Sequence, residues 1–238
     1  MDAMRSMAGF DGLAIVAKNS ALAGPILVLV VVIFIVSLVA DRKTREKRHE
    51  QARQIAADQH LIHDLSPPTL PDVRLKLLPR GSYSDVLRAA DRPETLFGSV
   101  LVYRSGKTTI SRIVALCEIT DSVPHLSFRR SNILSSLDPN DIEIGDVAFD
   151  DRWSIKCDDP GFIQWLLAST NVSRWLGQFE DNASAPSFEA NGRHVVVSMP
   201  GRDLARVPGV IEWARTFAEL IQPRPLPPPA VGAESPRA

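Results

Sequence analysis

The stretch that decides the reading of this chain is Ala21–Ala40, ALAGPILVLVVVIFIVSLVA. It carries no charge, and Ser37 is its one strongly polar side chain. As a helix it would be about 30 Å long, the hydrocarbon thickness of a bilayer. A helix apolar on every side is seldom buried in a small soluble domain. The sequence therefore predicts a single transmembrane helix over residues 21–40.

Working outward, Arg42, Lys43, Arg45, Lys47 and Arg48 follow the apolar run directly, and only Arg5 and Lys18 precede it. The positive-inside rule then places residues 1–20 as a short extracytoplasmic N-terminus and the large domain in the cytoplasm of a single-pass cell-membrane protein. A cleaved signal peptide fits less well. Its apolar core would be about 7–15 residues and would end in a small-x-small site, whereas Leu38-Val39-Ala40 begins with a large residue. The five basic residues are candidate membrane-surface groups, each worth roughly 1 kcal/mol of attraction to anionic headgroups. They serve equally as a topology signal on a solvated helix.

Residues 41–71 read as a basic juxtamembrane helix and a proline-rich linker. DRKTREKRHEQARQIAADQ is built of good helix formers, and Ser66-Pro67-Pro68-Thr69-Leu70-Pro71 breaks the helix. His60-x-x-His63 has a spacing that could suit a metal, but no cysteine or carboxylate pair accompanies it.

Residues 72–222 are long enough for one domain with a real core. Val73, Leu75 and Leu77 alternate with Arg74 and Lys76, a strand signature. Ser84–Ala90 can be read as a short helix or a loop. Leu96–Tyr103 and Thr108–Thr120 flank Arg104-Ser105-Gly106-Lys107, a hairpin. Leu126–Arg129, Asp141–Ile144, Val147–Phe149 and Trp153–Cys157 alternate as further strands. Asp158-Asp159-Pro160 starts a helix, with an acidic cap and proline in the first turn. Thr170-Asn171 opens another short helical segment. Phe188–Ala190 and Arg193–Met199 flank Asn191-Gly192, a strong hairpin signal. Val210, Trp213, Phe217, Leu220 and Ile221 lie on one face of a closing helix. The order of elements predicts an α+β domain, an antiparallel sheet with helices packed on one face. Residues 223–238 read as a disordered proline-rich tail, whose Arg224–Pro229 segment resembles a polyproline ligand.

FDDRWSIKCDDPGFIQWLL, the following Trp-Leu segment, the strand pair around Asn-Gly-Arg and the closing helix resemble an uncharacterised bacterial, actinobacterial-type family of membrane-anchored domains. The matching positions are Phe149, Asp150, Trp153, Asp159, Pro160, Trp175 and Leu176, within roughly Leu96 to Ile221. The resemblance implies a membrane span with a cytosolic domain, and it brings no catalytic residue or ligand.

Formal net charge is -1, from 27 Lys and Arg against 28 Asp and Glu, so nothing points to nucleic acid as a partner. Two cysteines do not make a disulfide framework. Ser105-Gly106-Lys107-Thr108 lacks the first glycine of a phosphate-binding loop and is followed by β-branched residues. The acids Asp138, Asp141, Glu143, Asp146, Asp150, Asp151, Asp158 and Asp159 could form a cation or acid–base site, but turn and cap roles account for most of them. Cys157, ahead of the Pro160 helix and with His125 or His194 as conceivable partners, could be a nucleophile; a core thiol is the simpler reading. No cofactor or metal is expected. The reading that results is a single-pass, membrane-anchored interaction or scaffolding module, with lipid and a protein bound at the domain or the proline-rich tail as partners. An anionic-lipid surface sensor is the alternative. An enzyme using Cys157 or the acids near Asp150 ranks third.

Overall fold

The structure is a computed structural model that describes residues 20–131, 141–179 and 184–222, with side chains from residue 27 onward. Residues 1–19 and the proline-rich tail, on which two of the expectations above rest, lie outside the described residues, as does Asp138. The chain divides into two compact units, Met1–Glu50 and Gln51–Ala238. Helix α1 (Ser20–Asp58) supplies Ser20–Glu50 to the first and Gln51–Asp58 to the second.

One expectation is overturned in the first unit. Among the described residues no helix is long and apolar enough to cross a membrane. The described apolar side chains run from Leu27 to Ala40, and Asp41, Arg42 and Lys43 follow at once. At 1.5 Å per residue this described apolar run is about 21 Å long, short of the roughly 30 Å hydrocarbon core of a bilayer.

The second unit is α+β. Strands β1 (Leu61–Asp64), β2 (Ser82–Ala89), β3 (Leu96–Ser105), β4 (Thr108–Arg130) and β5 (Trp153–Cys157) pair in that order, all antiparallel, and β6 (Ser187–Pro200) pairs with β4. The helices are α2 (Val147–Asp150), α3 (Pro160–Ser169), α4 (Val172–Leu176) and α5 (Val207–Ile221).

Strand β4 is the spine. Its first half lies between β3 and β6, and its second half between β5 and β6. The β3–β4 hairpin is as the sequence predicts, closed by Gly106 at φ 62°. The strand then continues through the separate segment expected at Leu126–Arg129. Asn191-Gly192 does not reverse the chain. Gly192 has φ 59° and pairs with Val123 inside a continuous β6. Register shifts at Glu118/Val123 and Val123/Leu126 mark bulges whose extra residues lie on β4. The left-handed conformation that would suit a tight hairpin is carried here inside the strand, opposite the stretch of β4 that holds the extra residues, and long pairing on both sides of Gly192 keeps β6 continuous.

Three other expectations change. Of Ser84–Ala90, all but the turn residue Ala90 belongs to strand β2, with a bulge between Ser84 and Leu87. Residues 141–146 form no regular element, and Val147–Asp150 is a helical turn rather than a strand. Val73–Leu77 is not a strand either. Leu75 and Leu77 are buried and Arg74 and Lys76 exposed, as the alternation implied, but this segment is a strap lying across the sheet.

The main core lies between the sheet and α3, α4 and α5. Its centre is aromatic: Trp153, Trp175, Phe179, Phe188 and Phe217 meet with centroids 5.1–6.4 Å apart, several edge to face. Gly98 lets α5 approach β3, because a Cβ there would lie 2.7 Å from Ile211 Cγ1 and 2.8 Å from Val207 Cγ1. Ala52 and Ala56 of α1 also sit in this core. A smaller core forms under the strap from Leu75, Leu77, Val86, Phe97, Leu116 and Val196.

Candidate functional site

In the first unit the side chains from Leu27 to Val39 are apolar or small and exposed on every side of the helix, from Val31 at 48% to Phe34 at 64% among the large ones. Of the candidate membrane-surface residues, Arg42, Lys43, Arg45 and Lys47 are exposed and Arg48 is partly covered. At 100° per residue these positions point around the whole helix and form no single basic face. Arg42 Nε donates to Glu46 Oε1 at 2.9 Å.

In the second unit four of the dense acids are occupied by backbone amides. Asp150 accepts from the Ile144 and Gly145 amides at 3.1 and 3.0 Å, which ties down the loop ahead of α2. Asp146 caps that helical turn through the Phe149 amide at 3.2 Å. Asp141 accepts from the Ile155 amide at 2.6 Å. Asp159 caps α3 through Gly161 and Phe162, with Pro160 in the first turn, as the sequence predicts. These carboxylates stabilise orphan amides rather than converge on a common point.

Neither thiol is activated. Cys117 is buried and its pKa is pushed up to about 11 by desolvation. Cys157 is half-buried, desolvation raises its pKa too, and its S–H donates to the Asp159 carbonyl at 3.2 Å. A thiol in the neutral form is a poor nucleophile. The histidines named as conceivable partners face other groups. His194 lies opposite Glu118 in the β4–β6 register, and His125 lies between two acids.

That second arrangement is one the sequence did not reveal. Glu189 on β6 is fully buried. Its Oε1 accepts from the Lys76 amide at 2.9 Å, its Oε2 from the Leu77 amide at 2.7 Å, and His125 Nε2 stands 3.3 Å from Oε1. On its other side His125 Nδ1 is 3.7 Å from Asp158 Oδ1. The strap therefore does not need strand neighbours for its amides, because a buried carboxylate takes two of them. Leu75 and Leu77 are pressed onto the sheet, and Arg74, Lys76 and Arg80 are left outside. The strap borders an open cavity of about 770 Å³ that these three cations line together with Leu70, Val73 and Leu78. The visible signal was Glu189 itself, an acid next to Phe188 in an apolar strand.

His60 and His63 are not brought to one helix face. His60 is exposed in the turn after α1, at φ 53°. His63 is on β1 and largely buried, its Nε2 3.8 Å from Oδ1 of the buried Asp85. Asp85 stands at φ 56° beside the β2 bulge.

No family model matches the chain, and no curated protein is similar to it. Among solved structures it is similar to the mycobacterial trehalose monomycolate transport factor A, TtfA, at 9% identity and a TM-score of 0.48, over 75% of this chain and 97% of that one.

Proposed function

We propose that this chain is an interaction module that works at a lipid surface, the cell membrane. Its apolar and basic helical segment touches lipid, and its α+β unit is offered to protein partners. The supporting observation is the all-round exposure of Leu27–Val39. A helix with one apolar face fits a groove on one partner. An exposed apolar run is covered when it lies along the boundary between headgroups and acyl chains, the contact that a lipid surface offers. The adjoining Arg42, Lys43, Arg45, Lys47 and Arg48 add attraction to anionic headgroups that weakens with salt.

Vesicle flotation of the purified full chain tests this reading. The expected result is co-flotation with phosphatidylcholine vesicles and stronger recovery when phosphatidylglycerol is included. Arg42→Gln, Lys43→Gln and Lys47→Gln together should weaken that preference, since Arg45 and Arg48 remain, while leaving flotation itself intact. A chain that stays at the bottom of the gradient with both compositions would refute the proposal.

A further inference from the structure

We infer that the strap cavity of the second unit binds an organophosphate with an apolar body. This inference stands apart from the lipid-surface reading, because it rests on residues 70–80 and the Glu189 that holds them.

Arg74, Lys76 and Arg80 fall within seven positions of one another, all exposed, and all line the same cavity. Among the described residues none of the three is held in an ion pair. The lining contains one acid, Asp72, so the strap carries a net charge of two positives (three cations less one carboxylate). Cations gathered around a concavity and left unpaired favour an anion. A phosphate monoester near neutral pH carries close to two negative charges, which matches that balance. Two guanidinium forks and one ammonium suit its several oxygens.

The rest of the wall sets the other half of the ligand. Leu70, Val73 and Leu78 line the cavity beside the cations, and a volume of about 770 Å³ lies in the range of small-molecule sites. A bare inorganic anion would leave that apolar wall unused. The strap is also held in shape, since Glu189 clamps the Lys76 and Leu77 amides and Leu75 and Leu77 are packed beneath. The cations are thus presented on a fixed backbone, which lowers the ordering cost of binding.

The test is ³¹P NMR titration of the full chain in a phosphorus-free detergent with hexyl phosphate, inorganic phosphate and dihexanoyl phosphatidic acid. Hexyl phosphate should bind saturably, and inorganic phosphate at least tenfold more weakly. Arg74→Ala, Lys76→Ala and Arg80→Ala together should weaken hexyl phosphate at least tenfold. These side chains are exposed and leave the Glu189 clamp in place, so tryptophan fluorescence should show an unchanged fold. Displacement of hexyl phosphate by dihexanoyl phosphatidic acid supports the proposal and names a lipid phosphate as the source. Saturable hexyl phosphate binding that this lipid cannot displace supports it and names a soluble organophosphate. No saturable binding, or a triple variant that binds as the parent does, overturns it. Inorganic phosphate binding as tightly as hexyl phosphate overturns the apolar half.

Discussion

Replacement of Glu189 is the sharpest test of how the strap is held. In Glu189→Ala two amides lose their acceptor, those of Lys76 and Leu77, at 2.9 and 2.7 Å from the carboxylate. Hydrogen bonds to a charged group contribute about 1.5–3 kcal/mol each. The Leu77 residue is buried and cannot regain water in place, whereas Lys76 is exposed and recovers part of its loss. The strap should therefore open more easily by about 3 kcal/mol. At 1.4 kcal/mol per factor of ten, this is roughly a hundredfold. Glu189→Gln keeps one acceptor oxygen, and about half of that effect is expected. The assay is amide hydrogen exchange of the full chain, read at Lys76 and Leu77, with the Val197 amide on β6 as an internal control. Loss of protection at the strap that exceeds the loss at Val197 identifies local opening rather than global destabilisation. If Lys76 and Leu77 exchange within threefold of the parent rate in Glu189→Ala, the carboxylate clamp does not hold the strap, and the packing of Leu75 and Leu77 alone does.

Three further outcomes follow from the geometry. Gly98→Ala should cost about 1–3 kcal/mol by overpacking against α5, measured as a drop in Tm, and Ile211→Ala in the same chain should relieve the Ile211 part of the clash while Val207 keeps its own, making the pair less than additive. Gly192→Ala should cost about 1–2 kcal/mol from backbone strain alone, since φ is 59° and nothing lies within 4 Å of the added Cβ; Gly192→Asn should recover part of it, and unchanged denaturation by Gly192→Ala would contradict the left-handed backbone there. Burial raises the Cys117 pKa from 9.0 to about 11, so its contribution to stability is full below pH 9 and is lost as the pH rises through 11; denaturant midpoints should fall over that window, and at pH 8 iodoacetamide should label half-buried Cys157 before Cys117.

Much of the fold was legible because its signals are local. The Asp159-Pro160 start of α3, the β3–β4 hairpin and the amphipathic face of α5 depend on residues a few positions apart, and all three are present. Failures arise where distant partners decide. Asn191-Gly192 permits a left-handed backbone but does not dictate a reversal. The pairing of Arg112 through Phe128 with Phe188 through Pro200 fixes the chain direction on either side of it. Ser84–Ala90 looked indefinite because Ser84, Asp85 and Arg88 interrupt the apolar pattern. Its strand character comes from β1 and β3 on its two sides.

The strap shows why the candidate site was the least legible part. Alternation of Leu75 and Leu77 with Arg74 and Lys76 correctly separates an inner from an outer side, and that is all that a period of two encodes. A strand and a tethered strap share this period. They differ in where the backbone amides go, and buried amides must go somewhere. In a strand the acceptors are carbonyls of a neighbour. Here the acceptor is Glu189, 113 residues from Lys76. Since the carboxylate occupies the place of a neighbouring strand, the strap's outer side is free of cross-strand partners. The same substitution that hid the element from sequence reading thus leaves Arg74, Lys76 and Arg80 facing an open cavity instead of another strand.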